Sequence, residues 1–450
     1  MAEETDNSIL KETFRIAWPS VAENVLISLT GMVDTYMVST FGKASVAAVG
    51  VTNQPRYFIY TMFFALNTAI SSLVARRLGE KRRTDANGLV VTGFVFLMTA
   101  GLALTIVCGL AAKPILVLFG AKEATLSDSI QYFQIIIYFS LFQMIAMYLC
   151  AVQRGCGNTK IAMVANVAAN IVHLILNWLL IFGNWGFPAM GINGAAVSTV
   201  VGMIVAMLIS TRSLMRDDTF VSIPLILKEK IRPTMTHLKE LLPFTGTVLG
   251  ENLMTRLGFA ITGGMTARLD VNSYSAHLLG MNFMNLGFAF GDGLQSAMVA
   301  LVGRGMGEKN YDLCKKYVTQ GQKFGLVISL ISSALVLIFG RQVYRMYFPN
   351  DAEMVSYGWI ISKFIALIMP IQIAKIVYNG TLRGAGDVRF TLIGSTVGVT
   401  LVQPAVQYVL TMVLNLALTG VWFSILLSQA IQLLLFFWRY RSEKWMTQVI

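Results

Sequence analysis

Twelve long apolar runs, the first at 14–39 and the last at 418–438, constrain this chain more than any other feature. Each is long enough to cross a bilayer as a helix, which takes about 20 residues at about 1.5 Å each. A membrane β-barrel would need alternating segments of about ten residues, and these runs are far longer. The chain is 55% hydrophobic and only 13% charged, against about 25% charged in a soluble domain. An all-α polytopic membrane protein is therefore expected. The net charge of +12 does not imply nucleic acid, because the basic residues lie in short loops between apolar runs. The acidic, polar start MAEETDNSILKE does not read as a signal peptide. Cys108, Cys150, Cys156 and Cys314 have no metal-binding spacing. The segment KPILVLFGAK, from Lys113, is too short to span and reads as an interfacial helix or a helix extension.

Loops after even-numbered runs carry 19 Lys and Arg, and loops after odd-numbered runs carry 6. That bias places both termini and the even loops in the cytoplasm. Residues 216–240 form the longest polar connection and read as a cytoplasmic linker between a lobe of 1–215 and a lobe of 241–450. The two halves repeat. LVARRLGEK, from Leu73, recurs as LVGRGMGEK, from Leu301, with six of nine positions identical at an offset of 228. RGCGNT, from Arg154, recurs as RGAGDV, from Arg383, at an offset of 229. An even number of spans per half gives both halves one orientation, so two six-helix lobes related by pseudo-two-fold symmetry are expected. Such a pair suits alternating access better than passive conduction. No H-E-x-x-H, G-x-S-x-G or P-loop sequence supports an enzyme, and no catalytic residue is assigned.

Charges inside the apolar runs are the candidate functional groups. Asp34 lies about 30 Å along the first run, counted from Phe14. A carboxylate at such a depth costs roughly 2.5–3.5 kcal/mol and needs water, a cation, a proton or a partner. A purely structural Asp34 would bond to a neighbour such as Thr30 or Thr35. Glu251 in the seventh run has Lys375 or Arg256 as possible counter-charges. Asp292, between Gly291 and Gly293, is the strongest further carboxylate in the second half. Glu23, Arg56 and Lys363 also fall within the runs. Among the aromatics and methionines, Tyr36 and Met284 are singled out as lining an adaptable pocket.

Pro19 to Asp34 with GMVDTYM, the paired LVxR…GEK loops, the paired RGxG loops, NWLLIFG from Asn177 and FAFGDGLQSAMVALVGRGMG from Phe288 occur in one order over twelve spans. In this the chain resembles the multidrug and toxic compound extrusion (MATE) family, over essentially its whole length. The resemblance implies two lobes around a shared cavity. It also implies export of small amphipathic, often cationic, drug-like compounds in exchange for Na⁺ or H⁺. Asp34 matches the family's acid of span one. Span five follows an N-x-x-x-D/N pattern, with Asn177 at its second position and His173, a departure, at its first. Thr199 in GAAVST matches a hydroxyl of the same site. Glu251 matches an acid of span seven, while Gln372, with Lys375 nearby, stands where a span-ten acid is common. Asp34, Asn177 and Thr199 suit sodium, whereas His173, ordinarily titrating near neutrality, suits protons. The expected setting is the inner (plasma) membrane of a prokaryote, as a monomer among lipids and without a cofactor. The alternative is a lipid-linked saccharide flippase of the same superfamily, for which Arg56, Arg256, Lys363 and Lys375 are the relevant cations.

Overall fold

A computed structural model describes residues 2–40, 43–349 and 351–448, and among these there is no strand. Six long helices are formed by the first half of the chain: α1 (Ala2–Ser39), α2 (Lys43–Gly79), α3 (Arg83–Leu110), α5 (Glu123–Gly155), α6 (Thr159–Phe182) and α7 (Ile192–Ser213). Between them lies the short α4 (Ala112–Leu118), which covers most of the segment expected at the interface. After α8 (Ile223–Lys228) come α9 (Met235–Thr266), α10 (Val271–Gly307), α11 (Tyr311–Tyr347) and α12 (Ala352–Ala385). The eleventh span is composite: α13 (Val388–Ser395), a π-helical stretch Thr396–Val402, α14 (Gln403–Tyr408) and a second π-helical stretch Val409–Val413. α15 (Ala417–Arg441) is the twelfth.

Eleven of these spans are long and apolar enough to cross a membrane. The remaining long helix, α9, is diluted by threonines and glycines and carries Glu251 and Arg256. Helices outrun the apolar segments that predict them. α1 starts twelve residues before Phe14, and the polar extension is anchored by the buried Ile9 and Thr13.

The chain packs as two compact units, Ala22–Thr245 and Met1–Val21 with Gly246–Ile450. The division falls inside α1 and inside α9, so each of these helices contributes to both units. The start of α1 is built into the core of the second unit, where Ile9, Ile16 and Ala17 pack with Leu294, Met298, Tyr317 and Val377. The 216–240 segment, with α8, belongs to the first unit. The same helix pairs meet in each unit. α2 packs on α5 and α5 on α7 in the first, as α10 packs on α12 and α12 on α15 in the second.

The paired RGxG sequences show why that motif is duplicated. The first glycine lets one helix end press on a neighbour's backbone. A Cβ on Gly155 would meet the carbonyl oxygen of Ser71, and one on Gly384 would meet that of Val299. The second glycine, Gly157 at φ +77° and Gly386 at φ +90°, takes the left-handed conformation that ends the helix.

Candidate functional site

In the first unit the helices bring Asp34, His173, Asn177 and Thr199 together. His173 and Asn177 are four residues apart on α6 and so share a face. Asn177 is fully buried and donates from Nδ2 to Asp34 Oδ1 at 2.8 Å. His173 Nε2 lies 3.7 Å from the same oxygen and 3.2 Å from Thr199 Oγ1 on α7. The Thr199 hydroxyl donates its hydrogen to the Ala195 carbonyl at 2.8 Å. The Thr199–His173 contact is therefore best assigned with Nε2–H as donor, turned toward Thr199 and Asp34, rather than with the ring as acceptor. Asn177 Oδ1 is buried with no partner among the described residues. Arg56, on α2, is near enough for its charge to act on both Asp34 and His173, yet its Nε is buried without a partner. This is a carboxylate with amide, hydroxyl and imidazole around it and a fixed positive charge nearby.

One expectation for this region changes. Thr30 is not the structural partner of Asp34, since its hydroxyl donates to Leu26 O at 2.9 Å. The Thr35 side chain lies outside the described residues. Tyr36 is 73% exposed on α1.

In the second unit Glu251 is enclosed by partners. Its carboxylate pairs with Arg383 Nη2 at 2.9 Å and accepts from Asn379 at 2.9 Å, Thr391 at 2.7 Å and Ser395 at 2.8 Å. Lys375 and Arg256 were the possible counter-charges read from the sequence; the ion pair seen is with Arg383, because α12 brings the arginine of the RGAG turn back to the acid on α9. The first unit repeats the arrangement. Glu23 pairs with Arg154 at 3.2 Å and accepts from Asn166 at 2.8 Å. The acids lie 228 apart in sequence, and Arg154 with Asn166 corresponds to Arg383 with Ser395 at an offset of 229. These two arginines, counted by charge bias as loop residues, neutralise acids within the bundles.

Lys375 is 8% exposed and donates to Gln432 Oε1 at 3.5 Å. Gln372 is fully buried, and neither its Nε2 nor its Oε1 has a partner among the described residues. The Asp292 side chain is accessible. Met284 does not line an open pocket. It is 1% exposed and packs in the core with Trp422, Ile365 and Met369, where an unbranched side chain fills space beside large rings. Lys363 lies over the Trp359 ring, 5.3 Å from its centroid.

The geometry so far defines a class: a helical membrane protein with duplicated six-span bundles and an intramembrane carboxylate held by polar groups. The MatE sequence profile matches residues 19–179 and 248–409. The chain belongs to the MatE family, the multidrug and toxic compound extrusion transporters. It is 26% identical over 443 residues to a probable multidrug resistance protein NorM of Thermotoga maritima, covering 97% of this chain and 93% of the relative. It is 25% identical over 436 residues to an uncharacterized transporter, YisQ, of Bacillus subtilis, covering 96% and 94%. An outward-facing multidrug resistance MATE transporter of the MOP superfamily superposes with a TM-score of 0.89 at 21% identity, covering 98% and 97%. A MOP-superfamily transporter from Pyrococcus furiosus, described for the reverse polarity of its binding pocket, gives 0.88 at 20% identity, covering 98% and 97%.

Proposed function

We propose that the protein is a secondary active exporter of small amphipathic compounds, driven by inward Na⁺ or H⁺ through Asp34. The observation carrying this reading is the Asp34–Asn177 hydrogen bond, with His173 beside the same carboxylate and Thr199 in contact with His173. Ion loading neutralises Asp34, changes its bonding to α6 and α7, and weakens the hold on the exported compound. By linkage, drug binding weakens ion binding to the same extent.

Sodium needs several oxygen ligands. Asp34 and Thr199 offer oxygens here, and Asn177 would present its unpartnered Oδ1 if its amide turned over. A proton needs only the carboxylate, with His173 as its neighbour. The oxygen count favours sodium, and the proton stays as the alternative coupling ion. The charge bias of the loops supports cytoplasmic termini, and the bacterial relatives support a prokaryotic inner membrane, with the monomer as working unit. Ethidium efflux from cells expressing the protein, followed after a Na⁺ jump at fixed pH, tests the reading. Acceleration by Na⁺ supports sodium coupling. Acceleration by an inward proton gradient alone supports H⁺. Export indifferent to both ions contradicts the proposal.

A further inference from the structure

The second unit holds two opposite charges that face one level of the bundle and do not meet. The register of α10 against α12 fixes that level. Gly287 lies against Met369 and Gln372, Gly291 against Ile376, and Gln295 against Gly380. Asp292, next to Gly291, therefore stands beside the turn that carries Lys375, and Gln372 lies one turn away on the same helix. Among the described residues the Asp292 carboxylate makes no ion pair or hydrogen bond. Among the described residues Lys375 has one hydrogen-bond partner, Gln432 Oε1, at the outer limit of hydrogen bonding, and it lies within electrostatic reach of Glu251 and Asp292. Arg383 is engaged by Glu251 at 2.9 Å, and its charge also reaches Asp292, as that of Lys375 does.

A lone cation bound to Asp292 would be repelled by Lys375. A lone anion bound to Lys375 would be repelled by Asp292. A molecule carrying both charges satisfies both residues. Gln372 adds a second, independent sign: a fully buried amide with neither donor nor acceptor used is costly. A polar group brought to that level, or a water it carries, relieves the cost.

We propose that Asp292, Lys375 and Gln372 form a binding site for zwitterionic amphiphiles, with the ligand's ammonium on Asp292 and its carboxylate on Lys375 and the Gln372 amide N–H. The proposal rests on the reading of the protein as an exporter of amphipathic compounds and names a substrate class for it.

The test is equilibrium binding to purified protein in nanodiscs, with no ion gradient, in buffer acidic enough to keep both probe amines charged. Nε-dansyl-lysine is the zwitterion, and its methyl ester is the matched cation. Wild type should bind the zwitterion roughly tenfold or more tighter than the ester. K375Q should invert that order, losing the zwitterion and gaining the ester. K375R should keep the wild-type order, and D292N should weaken both probes. If K375Q does not fold, D292N and the wild-type ratio still decide. Equal wild-type affinity for the two probes, or an unchanged order in K375Q, overturns the site. D34N should leave the order unchanged, because Asp34 belongs to the other unit; loss of the preference in D34N also overturns the site. Failure of ion coupling at Asp34 would appear in the Na⁺ or H⁺ dependence of export and not in this ratio.

Discussion

Replacing Arg383 with Met removes the counter-charge of Glu251 while keeping an unbranched side chain in place. The Glu251 side chain is 4% exposed and that of Arg383 10%, so this pair is buried. Removing one partner of a buried pair leaves an uncompensated charge, at a cost of about 3–5 kcal/mol. Asn379, Thr391 and Ser395 remain to hydrogen-bond the carboxylate, which places R383M toward the lower end, about 3 kcal/mol. The double variant E251Q/R383M removes both charges and leaves an amide that the same three donors can still engage. It should recover at least half of the loss, giving a coupling of about 1.5 kcal/mol or more in the double-mutant cycle. The mirrored change R154M should cost less, because the Arg154 side chain is 18% exposed and water can reach it more readily. Fluorescence-detected melting in one detergent ranks wild type, R383M, E251Q, E251Q/R383M and R154M. A melting point for R383M indistinguishable from wild type, or a double variant losing the sum of the two single changes, would refute the reasoning.

The second glycines of the RGxG turns should resist substitution for a backbone reason. G157A and G386A each force alanine into φ +77° or +90°, at about 1–2 kcal/mol per site, measurable as lower melting points with unchanged ligand affinity. G384L should be worse than G386A, since its side chain would enter the space held by the Val299 backbone; equal effects would contradict the close-approach argument. Single cysteines at Asp217 and at Trp185, both exposed, should be labelled from the cytoplasm and from outside respectively. The background is low, since Cys108, Cys150 and Cys314 are buried and burial pushes the Cys156 thiol up to about 12. Reversed labelling would overturn the orientation drawn from the loop charges.

The number of spans and their pairing into repeats were legible because both are written in apolar length and in short duplicated loops. The polar groups around Asp34 were legible as well, through a carboxylate inside an apolar run and spacings shared with the family on α6 and α7. What linear reading missed are partners distant in sequence. Arg154 and Arg383 look like topogenic loop charges until the fold sets them against Glu23 and Glu251, more than 130 positions away. Lys375 was a reasonable counter-charge for Glu251 by depth, but depth says nothing about which face of α12 meets α9. Met284 was misplaced for the same reason, since composition cannot separate a methionine lining a pocket from one filling a core. The π-helical stretches of the eleventh span carry no hydropathy signal. Nor does the division of α1 and α9 between units, since an apolar run is silent about where along its length it changes neighbours.

The central claim is that Asp34 couples ion to substrate, and one measurement addresses it directly. The affinity of purified wild type and Asp34→Asn for ethidium is determined with and without Na⁺, in acidic and in alkaline buffer. Asparagine keeps the volume and can still bond to Asn177, so a structural Asp34 would tolerate the change. A typical coupling of about 1–3 kcal/mol corresponds to a roughly 5–150-fold change in drug affinity on ion loading. That change should appear in wild type and disappear in Asp34→Asn, with ethidium still bound and the protein still folded. Ion-dependent affinity of wild-type size in Asp34→Asn would contradict it.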